Sequence, residues 1–207
     1  MPRGRITAFL LAIMLLFAAS QCVQRNANVG VVNLTNATDV LEQTLDSIAY
    51  TSPKEENSVI YQISFRTCPP CIRAHDDILP QLREAGIETR LVTTARNWSS
   101  TAHERAAVVE NARRKDWSFT QDWWADKSPK RFYAKTDLPP IEGDVAREAE
   151  LERLQDHVYE IVNILARNGE DFAFPTLIWQ TQDGSYKASV GYNSALTEII
   201  LSDIGPG

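Results

Sequence analysis

Two cysteines separated by two prolines, Cys68-Pro69-Pro70-Cys71, follow the most strand-like segment of the chain. That segment, Ser58 to Phe65, is rich in β-branched and aromatic residues and is typical of a central strand. A helix is expected to begin at Cys68 or just before it, because proline is tolerated in a first helical turn. The pattern therefore predicts a cysteine pair at a strand-to-helix junction.

Further strands and helices are predicted on both sides of this junction from the spacing of apolar residues. Pro80 is expected to kink the helix that carries the cysteines, and Gly86 is expected to end it. The predicted strands cover residues 30–34, 58–65, 87–94, 176–181 and 186–190, and two further helices cover residues 38–49 and 194–203. We expect an α/β fold in which one central mixed sheet has helices on both faces.

Residues 97–170 differ from the rest because they are charged and contain no strand-like run. Helical patterns occur in 101–115 and 146–167, and an aromatic segment from Trp117 to Tyr133 lies between them. We interpret this stretch as a helical insertion that precedes the strand beginning at Thr176.

The first twenty residues have the layout of a secretory signal peptide. Arg3 and Arg5 precede an apolar run from Ile6 to Ala19, which is short for a membrane span. We therefore expect a signal peptide at 1–20 and a domain at 21–207 that works outside the cytosol, where disulfides persist. An uncleaved N-terminal anchor and lipidation of Cys22 are the alternatives, and either would tether the protein to a membrane.

Net charge and cysteine content reduce the number of functions that the chain can have. The 207-residue chain has a formal net charge of −6, which gives a nucleic-acid partner no support. Apart from Cys22 it has only Cys68 and Cys71, a poor structural disulfide framework for a domain of this size. Half of a zinc site is an alternative for the pair, with histidines contributing, but no second cysteine pair is present. We therefore expect redox chemistry without a metal or another cofactor.

The expected roles of the two cysteines follow from their place in the helix. Unpaired backbone N–H groups and the helix dipole favour a thiolate at the first cysteine, so Cys68 is the expected nucleophile. Cys71, one turn along, is expected to resolve the mixed disulfide. Pro69 and Pro70 carry no N–H, which leaves the N–H groups of Cys71 and Ile72 as donors to the Cys68 sulfur. We expect the thiol to be only moderately acidified.

Pro175 stands at the entry to the strand after the insertion, in Phe174-Pro175-Thr176. In a fold with this order of elements that position packs beside the disulfide, and we expect a cis peptide bond there. The backbone of Phe174 is then expected to pair with an extended substrate strand. A trans proline at a strand start is the alternative.

These motifs resemble the thioredoxin superfamily, and more closely the catalytic domain of the bacterial periplasmic DsbC and DsbG proteins. His75, four residues after Cys71, and Gly191-Tyr192 before the last helix are similar to that pattern. The resemblance implies a thioredoxin fold and a periplasmic thiol:disulfide oxidoreductase that acts on cysteines of exported proteins, with a membrane redox partner that recycles the pair. That family has a dimerisation domain before the catalytic one, and we expect no counterpart of it here, which leaves oxidase, reductase and isomerase as separate possibilities.

The resemblance also draws attention to Gln62. In many thioredoxin-like proteins a buried acid six residues before the first cysteine moves protons at the resolving thiol, and Gln62 occupies that position here. A carboxamide cannot titrate, so His75 is the candidate for proton transfer, and a surface histidine is the alternative.

A second hypothesis, from another class, is a non-catalytic binding or chaperone module of a secretion or conjugation system. It would use the hydrophobic surface near Pro175 together with aromatic residues of the insertion, unless these pack inside it: Trp117, Trp123, Trp124, Phe132 and Tyr133.

Overall fold

The computed structural model of the chain describes residues 30–205, with the exception of residues 55, 57, 97–99 and 127. The predicted signal peptide at residues 1–20 and the proposed lipidation site Cys22 lie outside the described residues. From Val31 onward the described residues belong to one compact unit. None of the described helices combines the length and the hydropathy that a membrane span needs.

Within the described residues, five strands form one sheet: β1 (Val31–Leu34), β2 (Ser58–Ser64), β3 (Ile87–Thr93), β4 (Thr176–Gln180) and β5 (Tyr186–Val190). Their order across the sheet is β1-β5-β4-β2-β3. β2 and β3 run parallel, whereas each other pair of neighbours among these strands is antiparallel. The sheet is therefore mixed, as predicted, and β2 lies inside it.

The sheet separates two apolar cores, because alternate side chains of a strand point to opposite faces. On one face Ile60 of β2 and Leu177 and Trp179 of β4 pack against helices. On the other face Tyr61 and Ile63 of β2 belong to a larger core. The central sheet covered on both faces is thus confirmed.

The helices are α1 (Thr38–Ser47), α2 (Pro69–Arg73), α3 (Leu79–Glu84), α4 (Ala102–Arg114), α5 (Trp117–Ala125), α6 (Pro129–Thr136), α7 (Val145–Arg167) and α8 (Leu196–Ile204). A π-helical turn, Ala74–Ile78, joins α2 to α3. Pro80 lies in the first turn of α3, and it has no N–H to continue the α-helical hydrogen bonds. The predicted interruption near Pro80 therefore takes the form of a π turn, and Gly86, with φ 79°, follows the end of α3.

Helices α4 to α7 lie between β3 and β4, which confirms the predicted helical insertion. The aromatic segment folds into α5 and α6, two helices that the sequence analysis did not separate. Trp117 is half-buried, and the other five of the segment's six aromatic residues are buried: Phe119, Trp123, Trp124, Phe132 and Tyr133. These side chains form the interior of the insertion, so their role is to pack its core.

Asn168, which follows α7, connects the end of the insertion to the start of α1. Its Oδ1 accepts hydrogen bonds from the backbone N–H groups of Thr35 and Asn36 at 2.8 and 3.0 Å. The N-cap of α1 is Ala37, and no side chain caps this helix. A side chain more than 130 residues away satisfies these backbone donors instead.

Candidate active site

The redox pair lies where β2 gives way to the cysteine-bearing helix. Cys68 is the N-cap of α2, and it is joined by a disulfide to Cys71, with 5.2 Å between the two Cα atoms. Cys68 is 4% exposed and Cys71 is 0% exposed. Any substrate sulfur therefore has more access to Cys68 than to Cys71, which agrees with the expected order of attack and resolution.

One backbone donor reaches the Cys68 sulfur directly. The N–H of Cys71 donates to Cys68 Sγ at 3.2 Å. The N–H of Ile72 instead donates to the carbonyl oxygen of Cys68 at 3.0 Å. Of the two donors expected from the sequence only the first contacts the sulfur, because the second continues the helix.

We predict that the pKa of the Cys68 thiol in the reduced protein lies nearer to about 7 than to about 3.5. These two values bracket the pKa range of the reactive cysteine in Cys-x-x-Cys motifs. A single N–H donor and the helix N-terminus stabilise the thiolate, but Pro69 and Pro70 contribute no donors. The pKa is measured from thiolate absorbance against pH, with the Cys68→Ser variant subtracted as the control. A value near the acidic limit would show that other groups stabilise the thiolate.

The peptide bond between Phe174 and Pro175 is cis, as predicted. The carbonyl oxygen of Phe174 lies 3.9 Å from Cys68 Sγ, so the two sequence motifs meet in space. The carbonyl oxygen of Pro175 accepts a hydrogen bond from Gly191 N–H at 2.7 Å, and Thr176 is 0% exposed in β4. Among the three residues predicted to bind substrate, Phe174 is therefore the one that is partly open to solvent.

Gln62 lies beneath the resolving cysteine. It is 0% exposed, and its Nε2 donates to Ser64 Oγ at 2.8 Å and to the carbonyl oxygen of Cys71 at 3.4 Å. Its Oε1 is buried without a hydrogen-bond partner among the described residues. The Gln62 carboxamide thus lies six residues before Cys68, where the resemblance implies a buried acid, and it contacts the backbone of Cys71. It does not ionise, so it cannot transfer a proton to or from the Cys71 sulfur.

His75 packs into the protein rather than facing solvent. It lies on the π turn, its side chain is 14% exposed, and its ring stacks on Trp124 with 4.9 Å between the ring centres. Burial lowers the pKa of His75, and the hydrogen bond with Asp76 at 2.9 Å opposes this shift. The alternative of a surface histidine is therefore excluded. Proton transfer by His75 stays a proposal.

Glu104 is a buried carboxyl group that the sequence analysis missed. It lies next to the segment that joins β2 to α2. It is 4% exposed, and its Oε1 accepts a hydrogen bond at 3.3 Å from Thr67, the residue before Cys68. Burial raises the pKa of Glu104. The spacing of Thr101 and Glu104 is that of a capping box, and Thr101 does cap α4. That signal locates the helix start, but no local pattern indicates the contact with Thr67.

Arg66 forms a second hydrogen-bonded connection between the segment that joins β2 to α2 and the insertion. It is 3% exposed, its Nε donates to the carbonyl oxygen of Trp123 at 2.9 Å, and its Nη2 donates to that of Asp126. The two residues that precede Cys68 are therefore both bonded to the insertion. The insertion thus helps to position the redox pair.

Comparisons with known proteins agree on the architecture. A periplasmic thioredoxin-like protein from Salmonella enterica serovar Typhimurium superposes with a TM-score of 0.52 at 14% identity, over 80% of this chain and 94% of that one. The catalytic domain of Proteus mirabilis ScsC gives 0.53 at 14% identity, over 81% and 96%. The thiol-disulfide exchange protein alpha-DsbA2 from Wolbachia pipientis gives 0.50 at 14% identity, over 81% and 93%. No family model matches the sequence, and no curated protein matches it either.

The sheet order, the cysteine pair at the head of a helix and these superpositions together define a thioredoxin-like fold. The chain has the thioredoxin fold, in the form that carries a helical insertion between β3 and the strand after the cis-proline. The finer likeness to the DsbC and DsbG proteins stays a prediction.

Proposed function

We propose that this protein is a thiol:disulfide oxidoreductase whose redox pair is Cys68 and Cys71. The observation that carries the proposal is the disulfide at the start of α2, with the carbonyl oxygen of Phe174 3.9 Å from Cys68 Sγ. In the reduced protein the Cys68 thiolate attacks one sulfur of a substrate disulfide, and the other substrate sulfur leaves as a thiolate. Cys71 then attacks Cys68 Sγ, which releases the second substrate thiol and closes the Cys68–Cys71 bond. The reverse sequence transfers the disulfide to a dithiol substrate.

The proposed substrates are cysteine-containing exported proteins in the bacterial periplasm. The N-terminal sequence supports export, and one structurally similar protein is described as periplasmic and another as a thiol-disulfide exchange protein. The proposal includes a membrane redox partner that returns the pair to its working state. Oxidation, reduction and isomerisation all use the same two sulfurs, and the partner's potential decides among them.

The alternative of a non-catalytic chaperone module rested on the hydrophobic surface near Pro175 and on the aromatic residues of the insertion. Four of those aromatic side chains are buried in the insertion, which leaves this alternative without its aromatic surface.

Insulin reduction and the refolding of scrambled ribonuclease test the proposed function. We expect the wild-type protein to accelerate at least one of the two reactions, and the Cys68→Ser variant to lose that acceleration. Cys22→Ser is the matched control, since it removes the chain's remaining thiol and should leave the rate unchanged. Equal rates for wild type and Cys68→Ser would overturn the proposal.

A further inference from the structure

Two acidic side chains are buried among the described residues, Glu88 and Glu104. The charge of Glu88 is compensated directly, because Arg90 donates to both of its carboxylate oxygens at 2.7 and 3.1 Å. Glu104 has no cation within 4 Å in the described part of the chain, and the side chain that donates to it is the neutral hydroxyl of Thr67. A negative charge on Glu104 can therefore act on the groups around it.

Several contacts favour the ionised form of Glu104. It lies in the first turn of α4, where the helix dipole favours a carboxylate. Burial raises the pKa of Glu104, whereas the hydrogen bond from Thr67 and the positive charges of Arg96 and Arg105 oppose this shift. The helix and these donors make the carboxylate tolerable at a buried position.

Arg66 and Tyr133 also face Glu104, the first from the segment before Cys68 and the second from α6. Arg66 is a cation throughout the working pH range, since a guanidinium stays protonated. Burial raises the pKa of Tyr133 to about 12, so its phenol is neutral at the pH of a cell. His103 stacks on the Tyr133 ring, with 5.6 Å between the ring centres. Of these groups, Glu104 is the one that supplies a negative charge.

This charge lies one residue from the reacting sulfur. Glu104 Oε1 is 3.3 Å from Thr67 Oγ1, and Thr67 is bonded to Cys68, with about 3.8 Å between consecutive Cα atoms. The attacking form of Cys68 is a thiolate, which is also negative. Two like charges this close inside a protein shift a pKa by about one unit. An ionised Glu104 therefore disfavours the Cys68 thiolate relative to the thiol.

We propose that Glu104 is a positioning residue that holds Thr67 and, through its charge, limits the stability of the Cys68 thiolate. The inference rests on the proposed function and deepens it by naming a residue that controls the redox pair. Glu104 acts on Cys68 from the insertion, whereas an acid in place of Gln62 would act on Cys71 from β2. A less stable thiolate makes the reduced protein less stable, so Glu104 makes the disulfide a weaker oxidant.

Glu104→Gln tests the proposal, because it removes the charge and keeps an oxygen that can accept the Thr67 hydrogen bond. We expect the pKa of the Cys68 thiol, measured from thiolate absorbance in a Cys22→Ser background, to fall by about one unit. Since one unit is a factor of ten, the equilibrium with glutathione at about pH 8 should shift about tenfold toward the reduced protein. An unchanged pKa would overturn the proposal.

The pH dependence has a definite sign. The charge of Glu104 matters only where Cys68 is a thiolate, so the difference between wild type and Glu104→Gln should be full above the thiol pKa. It should shrink as the pH falls toward about 5, where the thiol is mostly protonated in both proteins. A difference in the glutathione equilibrium that is equally large at both pH values would refute a charge effect.

Two variants separate the charge from a loss of structure. Glu110→Gln removes a carboxylate from the same helix, but Glu110 pairs with Arg114 and Arg147, so the pKa of the Cys68 thiol should be unchanged. Thr67→Val removes the hydroxyl and keeps the carboxylate, so it should not lower that pKa. A fall in either variant equal to that in Glu104→Gln would refute the assignment. If Glu104→Gln does not fold, Glu104→Met, which also lacks the charge, replaces it.

Activity of the wild-type protein separates this inference from the proposed function. If wild type accelerates insulin reduction or ribonuclease refolding but shares its thiol pKa with Glu104→Gln, the assignment of Glu104 fails and the oxidoreductase stands. If wild type accelerates neither reaction, the proposed function itself fails.

Discussion

Replacing Cys71 by serine should convert the reduced protein into one that captures a substrate and does not release it. Cys68 remains able to attack a disulfide, because its own N–H donor is the backbone of residue 71, which serine retains. The second step fails, since no sulfur is left one turn along the helix to attack the mixed disulfide. Resolution by an outside thiol lacks the advantage of a reactant held in place, so multiple-turnover activity should fall by at least about 100-fold.

The captured complex is measured on non-reducing gels and by the mass of the adduct, which should equal the variant plus one substrate chain. A reductant should cleave the mixed disulfide and release the substrate chain. The comparison is Cys68→Ser combined with Cys22→Ser, because the thiol that remains in it belongs to Cys71, which is 0% exposed. We expect no adduct with that variant. An adduct with Cys68→Ser and none with Cys71→Ser would reverse the two roles.

Replacing Ile161 by alanine should lower the free energy of unfolding by about 2 to 5 kcal/mol. Ile161 is 0% exposed and lies in the middle of α7, which contacts both α1 and α4. The substitution removes buried methyl groups and leaves a cavity where helices of the insertion meet the sheet's helical cover. The effect is measured by denaturant unfolding of the oxidised protein.

Val145→Ala is the matched control for this core substitution. Val145 is also an aliphatic residue of α7, but it is 79% exposed, so we expect a change within about 0.5 kcal/mol. Similar losses in the two variants would mean that the α7 core contributes little to stability. Two separate unfolding transitions would mean that the insertion folds independently of the sheet.

Local sequence patterns were sufficient to predict much of the fold and the meeting of its two motifs. The strand ending before Cys68 and the helix beginning there depend on residues close together in the chain, whereas the cis peptide bond at Pro175 was expected because the order of elements places Pro175 beside the cysteine pair. Other features were not predictable, because they depend on distant partners. Asn168 binds the backbone ahead of α1, and Glu104 binds Thr67, contacts that no spacing or periodicity encodes.

The aromatic segment shows a different limit. Its apolar residues were visible, but α5 and α6 have only 9 and 8 residues, too few turns for a helical period to stand out, and so they were not separated. The environment of His75 was also not predictable, because its spacing from Cys71 did not decide whether its ring faces solvent or stacks on Trp124.

Gln62 has a consequence for how the protein behaves when the acidity of its surroundings changes. A carboxyl group at this position would be charged in one pH range and neutral in another. The carboxamide beneath Cys71 keeps the same donors and acceptors in acid and in base. The resolving sulfur therefore returns after each cycle to surroundings whose charge, at this position, is constant.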